Sequence, residues 1–169
     1  NNKTSIEKSI KITPILKPEP NIVYKRKKII IYLKEPLLKN RTYIISIGKN
    51  LEDEHNVRIK ETEQIAFSTG SFIDDGSISG KVYFSKEGSM SLWKLSSKNN
   101  LDNFYLSNPD YTYDISESGN YEFKYLSQGD YLVSLVNNEF SGRPISLKQT
   151  QYSLSSYSKI NIGEKTIHE

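Results

Sequence analysis

The sequence predicts an all-β protein. Apolar and polar residues alternate with a period of two where Tyr121, Phe123 and Tyr125 are separated by single polar residues. Tyrosine is abundant, at 12 of 169 residues, and its ring suits the half-buried surface of a pleated sheet. Glycine-containing turns flank the alternating segment at Ser118-Gly119 and Gln128-Gly129-Asp130, where glycine permits a positive φ.

The most informative stretch runs from Asp114 to Val136. It predicts two strands joined by a tight turn at Gln128-Gly129-Asp130, in the manner of a hairpin. We expect four of its side chains to be buried and structural: Tyr121, Phe123, Tyr131 and Val133.

Charge and composition favour two small domains. Residues 1–70 carry 14 basic and 8 acidic residues, a net charge of +6, whereas residues 71–169 carry 9 basic and 12 acidic residues, a net charge of −3. We therefore expect a first domain at residues 1–70, a connector at 71–77 and a second domain at 78–169. The chain has no cysteine, which excludes disulfide and thiolate chemistry, and its longest apolar run is too short to span a membrane.

In the first domain the sequence predicts strands at Ile29–Leu33, Thr42–Ile47 and Ile65–Phe67. Pro14, Pro18 and Pro20 follow a short alternating segment, and proline at this spacing is typical of an edge strand. The basic run from Lys25 to Lys28 leads into the strand at Ile29. It could attract a polyanion, but a solvated basic strand end is the favoured interpretation, and no nucleic acid is predicted.

Several motifs carry a family resemblance for this region: Ser9–Pro14, Ile29–Leu33 followed by Glu35-Pro36-Leu37, Asn40–Tyr43, and the closing Ala66–Gly70. With them the region resembles the bacterial Ig-like domains first described in S-layer proteins. Such domains usually begin with a further strand, so the resemblance implies that the first strand is missing here and leaves a sheet edge exposed. Either the chain is cut inside the domain, or another chain covers that edge.

In the second domain, strands are predicted at Ile78–Phe84, Met90–Leu95 and Tyr111–Ile115, and again from Tyr152 to Ile162. The run from Ile78 to Phe84, the DxSxxGxYxF pattern at Asp114–Phe123 and the LxxGxYLV pattern at Leu126–Val133 resemble the carboxypeptidase-regulatory or Cna-B type of prealbumin-like domain. That resemblance implies a small Greek-key β-sandwich. The tandem is similar to envelope proteins of Gram-negative bacteria, which implies a secreted, periplasmic or cell-surface location.

Candidate metal ligands lie in two polar segments. Asp74 and Asp75 in the connector, and Asn137, Asn138 and Glu139 after the last strand of the pattern, offer the oxygen atoms that Ca²⁺ prefers. Turn formation by these side chains is the favoured interpretation, and no cofactor is predicted. The two histidines, His55 and His168, have no partner at motif spacing, so neither a zinc site nor histidine-based catalysis is predicted.

Some Cna-B-like domains carry an isopeptide bond between lysine and asparagine, with an acid beside it. By resemblance the candidates are Lys81, Asn161 and Glu122. Strand parity opposes the bond, because the flanking residues put Lys81 and Glu122 on the outward face.

Aromatic residues are densest in the second domain, at Trp93, Phe104, Tyr105, Tyr111 and Tyr113. They could stack on sugar rings, although packing between sheets is the favoured interpretation. The sequence thus favours non-catalytic modules that act as a spacer, a scaffold or an interaction segment, with other domains or envelope proteins as partners. Carbohydrate binding by the second domain is the alternative.

Overall fold

The computed structural model describes residues 9–25, 28–48, 51, 57, 63–83, 88–115, 118–137, 141–157 and 159–163. The chain divides into two compact units, Asn1–Ile73 (unit 1) and Asp74–Glu169 (unit 2). The fold is all-β, as the alternation predicts, and its strands pair in antiparallel sheets. The boundary at Ile73 falls inside the predicted connector, and the first strand of unit 2 already begins at Gly76.

Unit 1 contains two sheets. Its strands are β1 (Ile10–Thr13), β2 (Asn21–Lys25), β3 (Lys28–Tyr32), β4 (Thr42–Ile47) and β5 (Glu63–Ser68). The order β1-β4-β5 forms a three-stranded sheet with β4 in the centre, and β2 pairs with β3 in a separate two-stranded sheet. Within the described residues β1 pairs with β4 alone, which agrees with the edge position that the following prolines indicate.

The core of unit 1 joins these two sheets. Ile10 of β1 and Ile22 of β2 belong to one buried cluster, against which Ile31 and Ile45 pack. Because β2 and β1 lie in different sheets, this cluster is the interior of a sandwich.

Within its described residues, unit 2 has seven strands and one 3₁₀ turn. They are β6 (Gly76–Lys81), β7 (Ser89–Lys94), the turn η1 (Phe104–Leu106), β8 (Tyr111–Asp114), β9 (Asn120–Leu126), β10 (Gly129–Val136), β11 (Tyr152–Leu154) and β12 (Ile160–Ile162). The larger sheet has the order β11-β10-β7-β8, and β12 pairs with the first residues of β10, beyond the end of β11. The smaller sheet consists of β6 and β9.

The larger sheet is buried on both faces. On one face Tyr113 of β8 meets Phe123 of β9, with ring centroids 6.0 Å apart, so this face packs on the smaller sheet. On the other face Trp93 and Leu132 pack against Phe104 and Ile145, which lie outside the sheet. The central strands β7 and β10 consequently read as nearly continuous buried runs rather than as alternating ones.

The predicted hairpin between Asp114 and Val136 is wrong. Both strands exist, but β9 pairs with β6 while β10 pairs with β7, β11 and β12. The turn at Gln128-Gly129-Asp130 therefore carries the chain from one sheet to the other. Alternation and turn residues specify two consecutive strands, but they do not specify which strands pair, because a sandwich offers each strand partners from distant parts of the chain.

The expected burial of four side chains on β9 and β10 is also only partly right. Phe123, Tyr131 and Val133 are buried, but Tyr121 is half-buried at the edge of the unit, where burial raises the pKa of its hydroxyl. The alternation breaks after Phe123: Gly76 pairs with Leu126 whereas Ile78 pairs with Phe123, so β9 holds one extra residue in a β-bulge. Tyr125 adopts φ 58° in this bulge, and Leu126 takes the buried position instead.

Other boundaries move by one to three residues, and β2 has no counterpart among the predicted strands. Lys25 closes β2 and Lys28 opens β3, and the two are paired across the ladder, so the basic run marks the turn of a hairpin. The predicted strand from Tyr152 to Ile162 is two short strands, β11 and β12. In the described part of the chain, no helix has the length and apolar character required to cross a bilayer.

Candidate functional site

The aromatic residues of unit 2 belong mainly to its core. Trp93 has no exposed surface, its Nε1 donates a hydrogen bond to the Ser107 carbonyl at 3.1 Å, and its ring meets that of Phe104 edge-on at 5.1 Å. Tyr111 is buried beside Tyr131. Neither Trp93 nor Tyr111 presents a ring to solvent.

The other two aromatic candidates are partly accessible. Tyr105 packs edge-on against Phe104 at 5.7 Å, and Tyr113 packs on the smaller sheet through Phe123. The five aromatic residues divide between opposite faces of the larger sheet, since Trp93 pairs beside Leu132 on one face and Tyr113 meets Phe123 on the other. They do not form one platform.

The segment from Ser141 to Ser146 covers the Trp93 face of the larger sheet. The Asn108 side chain donates to the Gly142 carbonyl at 2.7 Å, and the Ile145 amide donates to the Tyr105 carbonyl at 2.9 Å. Ile145 is thereby placed in the Trp93 cluster. This segment therefore covers the buried core on the Trp93 face of the larger sheet.

Three of the candidate calcium ligands lie among the described residues of unit 2. Asp74 and Asp75 lie at the start of unit 2, and Asn137 follows β10, where its amide donates to the Gln151 carbonyl at 3.1 Å. Asn138 and Glu139 lie outside the described residues, as do His55 and His168. Among the residues described, no three acidic or histidine side chains come together as metal ligands would.

The three isopeptide candidates are divided between the two sheets of unit 2. Lys81 and Glu122 are on the β6–β9 sheet, while Asn161 lies on β12 beside β10. Glu122 forms an ion pair with Lys124 at 3.0 Å, and the Asn161 amide donates to the Asp130 carboxylate at 2.7 Å. This geometry gives the cross-link no support.

Asp130 is the centre of a surface network. Its carboxylate accepts from Asn161 and, at 3.1 Å, from the Lys159 amine. These two hydrogen bonds, Asn161 first, lower the pKa of the Asp130 carboxyl because both stabilise its ionised form. The network fastens the short strand β12 to the start of β10.

One polar network was not predicted. The Lys94 amine donates to the Ser127 hydroxyl at 2.6 Å, and the buried Tyr131 hydroxyl donates to the Ser127 carbonyl at 2.7 Å. Because the amine is the donor, it is not placed as a base for the serine. The network holds the turn between β9 and β10 against β7.

Unit 1 has a concave surface, a cleft of about 300 Å³. It lies between the segment that follows β1 and the segment that follows β3. Four of the residues that line it are prolines, namely Pro14, Pro18, Pro20 and Pro36. Aliphatic side chains complete the apolar lining, namely Ile15, Leu16, Leu33, Leu37 and Leu38.

Charge in this proline-lined cleft is mainly positive. Lys17, Lys34 and Arg41 line it, with Glu35 as the one acidic side chain among the lining residues described. Leu33 and Leu38 are exposed at 45% and 60%, so apolar surface in the cleft is open to solvent beside the cations. An apolar surface rimmed by charge is the usual character of a recognition site rather than of a core.

The wall of the cleft is fixed by residues that directly follow β5 and by one residue of β4. The Thr69 hydroxyl donates to the Leu38 carbonyl at 2.6 Å and accepts from the Arg41 amide at 3.1 Å. The buried Tyr43 hydroxyl accepts from the Leu38 amide at 3.0 Å. Both backbone groups of Leu38 are therefore anchored to the β4–β5 sheet.

Gly70 completes this anchor. A Cβ on Gly70 would lie 3.0 Å from the Cα of Asn40, which itself adopts φ 52° in the turn before β4. The motifs Asn40–Tyr43 and Ala66–Gly70 are thus neighbours in space, and together they hold the turn at Leu38. Both motifs and the prolines are visible in the sequence, so the components of the cleft could be found there. From sequence alone, however, the prolines served only as evidence for an edge strand.

Aromatic side chains also reach solvent on the β2–β3 hairpin of unit 1. Tyr24 and Tyr32, on β2 and β3, are half exposed, and Ile29 lies opposite Tyr24. The hairpin therefore presents apolar side chains next to the paired Lys25 and Lys28.

Comparisons with protein-family models, with curated proteins and with solved structures found no match to this chain.

Proposed function

We propose that the chain is a pair of non-catalytic β-modules that serve as an interaction segment and spacer of a bacterial secreted or envelope protein. Unit 1 is proposed to be a bacterial Ig-like domain and unit 2 a carboxypeptidase-regulatory or Cna-B-like domain. In this proposal unit 1 binds a partner, another domain of the same protein or a second envelope protein, through the proline-lined cleft. Unit 2 supplies a stable scaffold.

The composition of the cleft is the observation that carries the proposal. Proline, leucine and isoleucine supply apolar contact, and lysine and arginine supply charge. The hydroxyl oxygen of Tyr43 accepts a hydrogen bond from the Leu38 amide and so anchors the wall of the cleft. These groups suit recognition, which needs contact and charge, better than catalysis, which needs a nucleophile and a base within reach of each other.

Carbohydrate binding through the aromatic residues of unit 2 is the rival function. It requires a ring that a sugar can reach, and Trp93 and Tyr111 are buried. Burial makes these two residues contributors to stability. Of the five predicted aromatic residues, Tyr105 and Tyr113 remain partly accessible, and they lie on opposite faces of the larger sheet.

Photo-crosslinking in the cells that make the protein tests the proposal. A photoreactive amino acid replaces Leu38 in the cleft or, as the matched control, Leu154 on β11, which is exposed to a similar extent at 50%. We expect a discrete higher-mass adduct from position 38 and none from position 154. Adducts of equal yield at both positions, or none at position 38, would count against a binding role for the cleft.

A further inference from the structure

We propose that the occupant of the proline-lined cleft is an extended acidic peptide segment. Its apolar side chains would lie on the leucine and proline lining, and its carboxylates would pair with Lys34 and Arg41. This inference rests on the proposed function, since it names the partner of the same site.

The size of the cleft favours a segment over a folded surface. A volume of about 300 Å³ lies at the lower end of the range for ligand sites, which is about 300–1,000 Å³. It can take a few side chains of an extended chain. A flat protein surface would leave it unfilled.

The prolines determine how an anion can be recognised here. Proline has no backbone N–H, so a wall that contains Pro14, Pro18, Pro20 and Pro36 has fewer donors with which to cradle a phosphate. Anion recognition in the cleft therefore falls to side chains. The planar guanidinium of Arg41 matches a carboxylate in a bidentate geometry, and the Lys34 amine adds a point charge.

The site is organised before it binds. The amide and the carbonyl of Leu38 are both tied to neighbouring strands, at 3.0 Å and 2.6 Å, and the amide and the carbonyl of Arg41 both bond to Thr69. A wall that is already fixed loses little conformational entropy when a ligand arrives, which favours affinity from a small contact area.

The net charge of unit 1 as a whole also favours an acidic occupant. Residues 1–70 carry a net charge of +6, and residues 71–73 of unit 1 carry none. A positive domain accelerates the encounter with an acidic partner and repels a basic one. Charge thus selects an acidic occupant, and the apolar lining selects one that also carries leucine-like side chains.

NMR titration of the ¹⁵N-labelled full chain tests the inference. The probes are three capped hexapeptides in which leucine alternates with glutamate, with glutamine or with lysine. We expect the glutamate peptide to shift the amide signals of residues 33–35, 37–38 and 41–43, and to bind at least about tenfold more tightly than the glutamine peptide at low salt. The lysine peptide should not bind.

Charge reversal supplies the control. Lys34→Glu should weaken binding of the glutamate peptide about tenfold or more, whereas Arg143→Glu, at an exposed arginine of unit 2, should leave it within twofold. Signals outside the cleft report whether each variant is folded. Because Lys34 is exposed, this substitution does not disturb the core.

Equal affinity for the glutamate and glutamine peptides, or no shift at millimolar peptide, would overturn the inference. So would shifts of the same cleft residues by anionic lipid vesicles or an oligosaccharide in place of the peptide. An adduct at Leu38 combined with failure of all three peptides would overturn the acidic segment while the proposed function stands. Peptide binding without any adduct in cells would overturn the proposed function, while the preference of the cleft for an acidic peptide would stand.

Discussion

Replacement of Trp93 by alanine should destabilise unit 2 strongly without affecting unit 1. The side chain has no exposed surface, and a buried tryptophan removes about 150–250 Å² from water, which at about 25 cal/mol per Å² corresponds to roughly 4–6 kcal/mol. Measured costs of aromatic-to-alanine changes in cores are about 3–5 kcal/mol. We therefore expect a loss of about 4 kcal/mol, to which the lost hydrogen bond to Ser107 contributes.

Hydrogen exchange followed by mass spectrometry reads the two units separately. A loss of about 4 kcal/mol should accelerate exchange in Ser89–Lys94 and Gly129–Val136 by roughly 10³-fold, because every 1.4 kcal/mol is a factor of ten. Exchange in Thr42–Ile47 of unit 1 should be unchanged.

A milder variant covers the case in which alanine unfolds unit 2 outright. Trp93→Phe keeps a ring but removes the donor to the Ser107 carbonyl, so it should cost about 1–3 kcal/mol. The matched control is Tyr157→Ala at a residue that is 72% exposed, and it should change exchange less than twofold. If Trp93→Ala left exchange in β7 unchanged, the assignment of Trp93 to the core would be refuted. Carbohydrate binding through an accessible Trp93 would then again be a candidate function.

Three further changes test separate parts of the structure. Tyr43→Phe removes the acceptor of the Leu38 amide and should cost about 1 kcal/mol, seen as faster exchange at that amide. Gly119→Ala forces a side chain onto a backbone with φ 81°, which costs at least about 1–2 kcal/mol and should lower the Tm of unit 2. Asn161→Ala should raise the pKa of Asp130 towards its ordinary value in a carbon-detected NMR titration, because the main hydrogen bond that lowers it is lost.

The pH dependence of the last prediction has a definite sign. The folded pKa of Asp130 is depressed, so its interaction with Asn161 contributes above the unfolded pKa and is lost as the pH falls through the folded pKa. Lys148→Ala, at an exposed lysine elsewhere in unit 2, should leave the pKa of Asp130 unchanged. For Gly119→Ala an unaltered Tm would contradict the strain, and for Tyr43→Phe an unaltered exchange rate at Leu38 would contradict the hydrogen bond.

Local sequence patterns predicted several individual strands well. The β4 strand, Thr42–Ile47, was predicted with its observed bounds, and Phe123 was expected to be buried and is. Patterns failed where the outcome depends on distant partners. The turn at Gly129 has the same sequence features whether it closes a hairpin or crosses between sheets. The pairing of β9 with β6 depends on residues that lie 39 to 50 positions earlier in the chain.

The cleft was missed for a related reason. Its lining comes from two segments, 14–20 and 33–43, that meet only in the folded unit. Each proline was interpreted by its local effect on a strand, which is correct for β1 but says nothing of what the prolines face. Conversely, the aromatic residues of unit 2 are dense in sequence, but the sheet separates them onto two faces.

Identification of the peptide joined to position 38 is the most direct test of the proposed binding role. The adduct formed in cells would be purified, digested and sequenced by tandem mass spectrometry. We predict that the attached peptide comes from an extended segment rich in aspartate or glutamate with leucine-like residues between them, and that Lys34→Glu abolishes the adduct. A basic peptide, a segment from the surface of a folded domain, or an adduct that survives Lys34→Glu would contradict it.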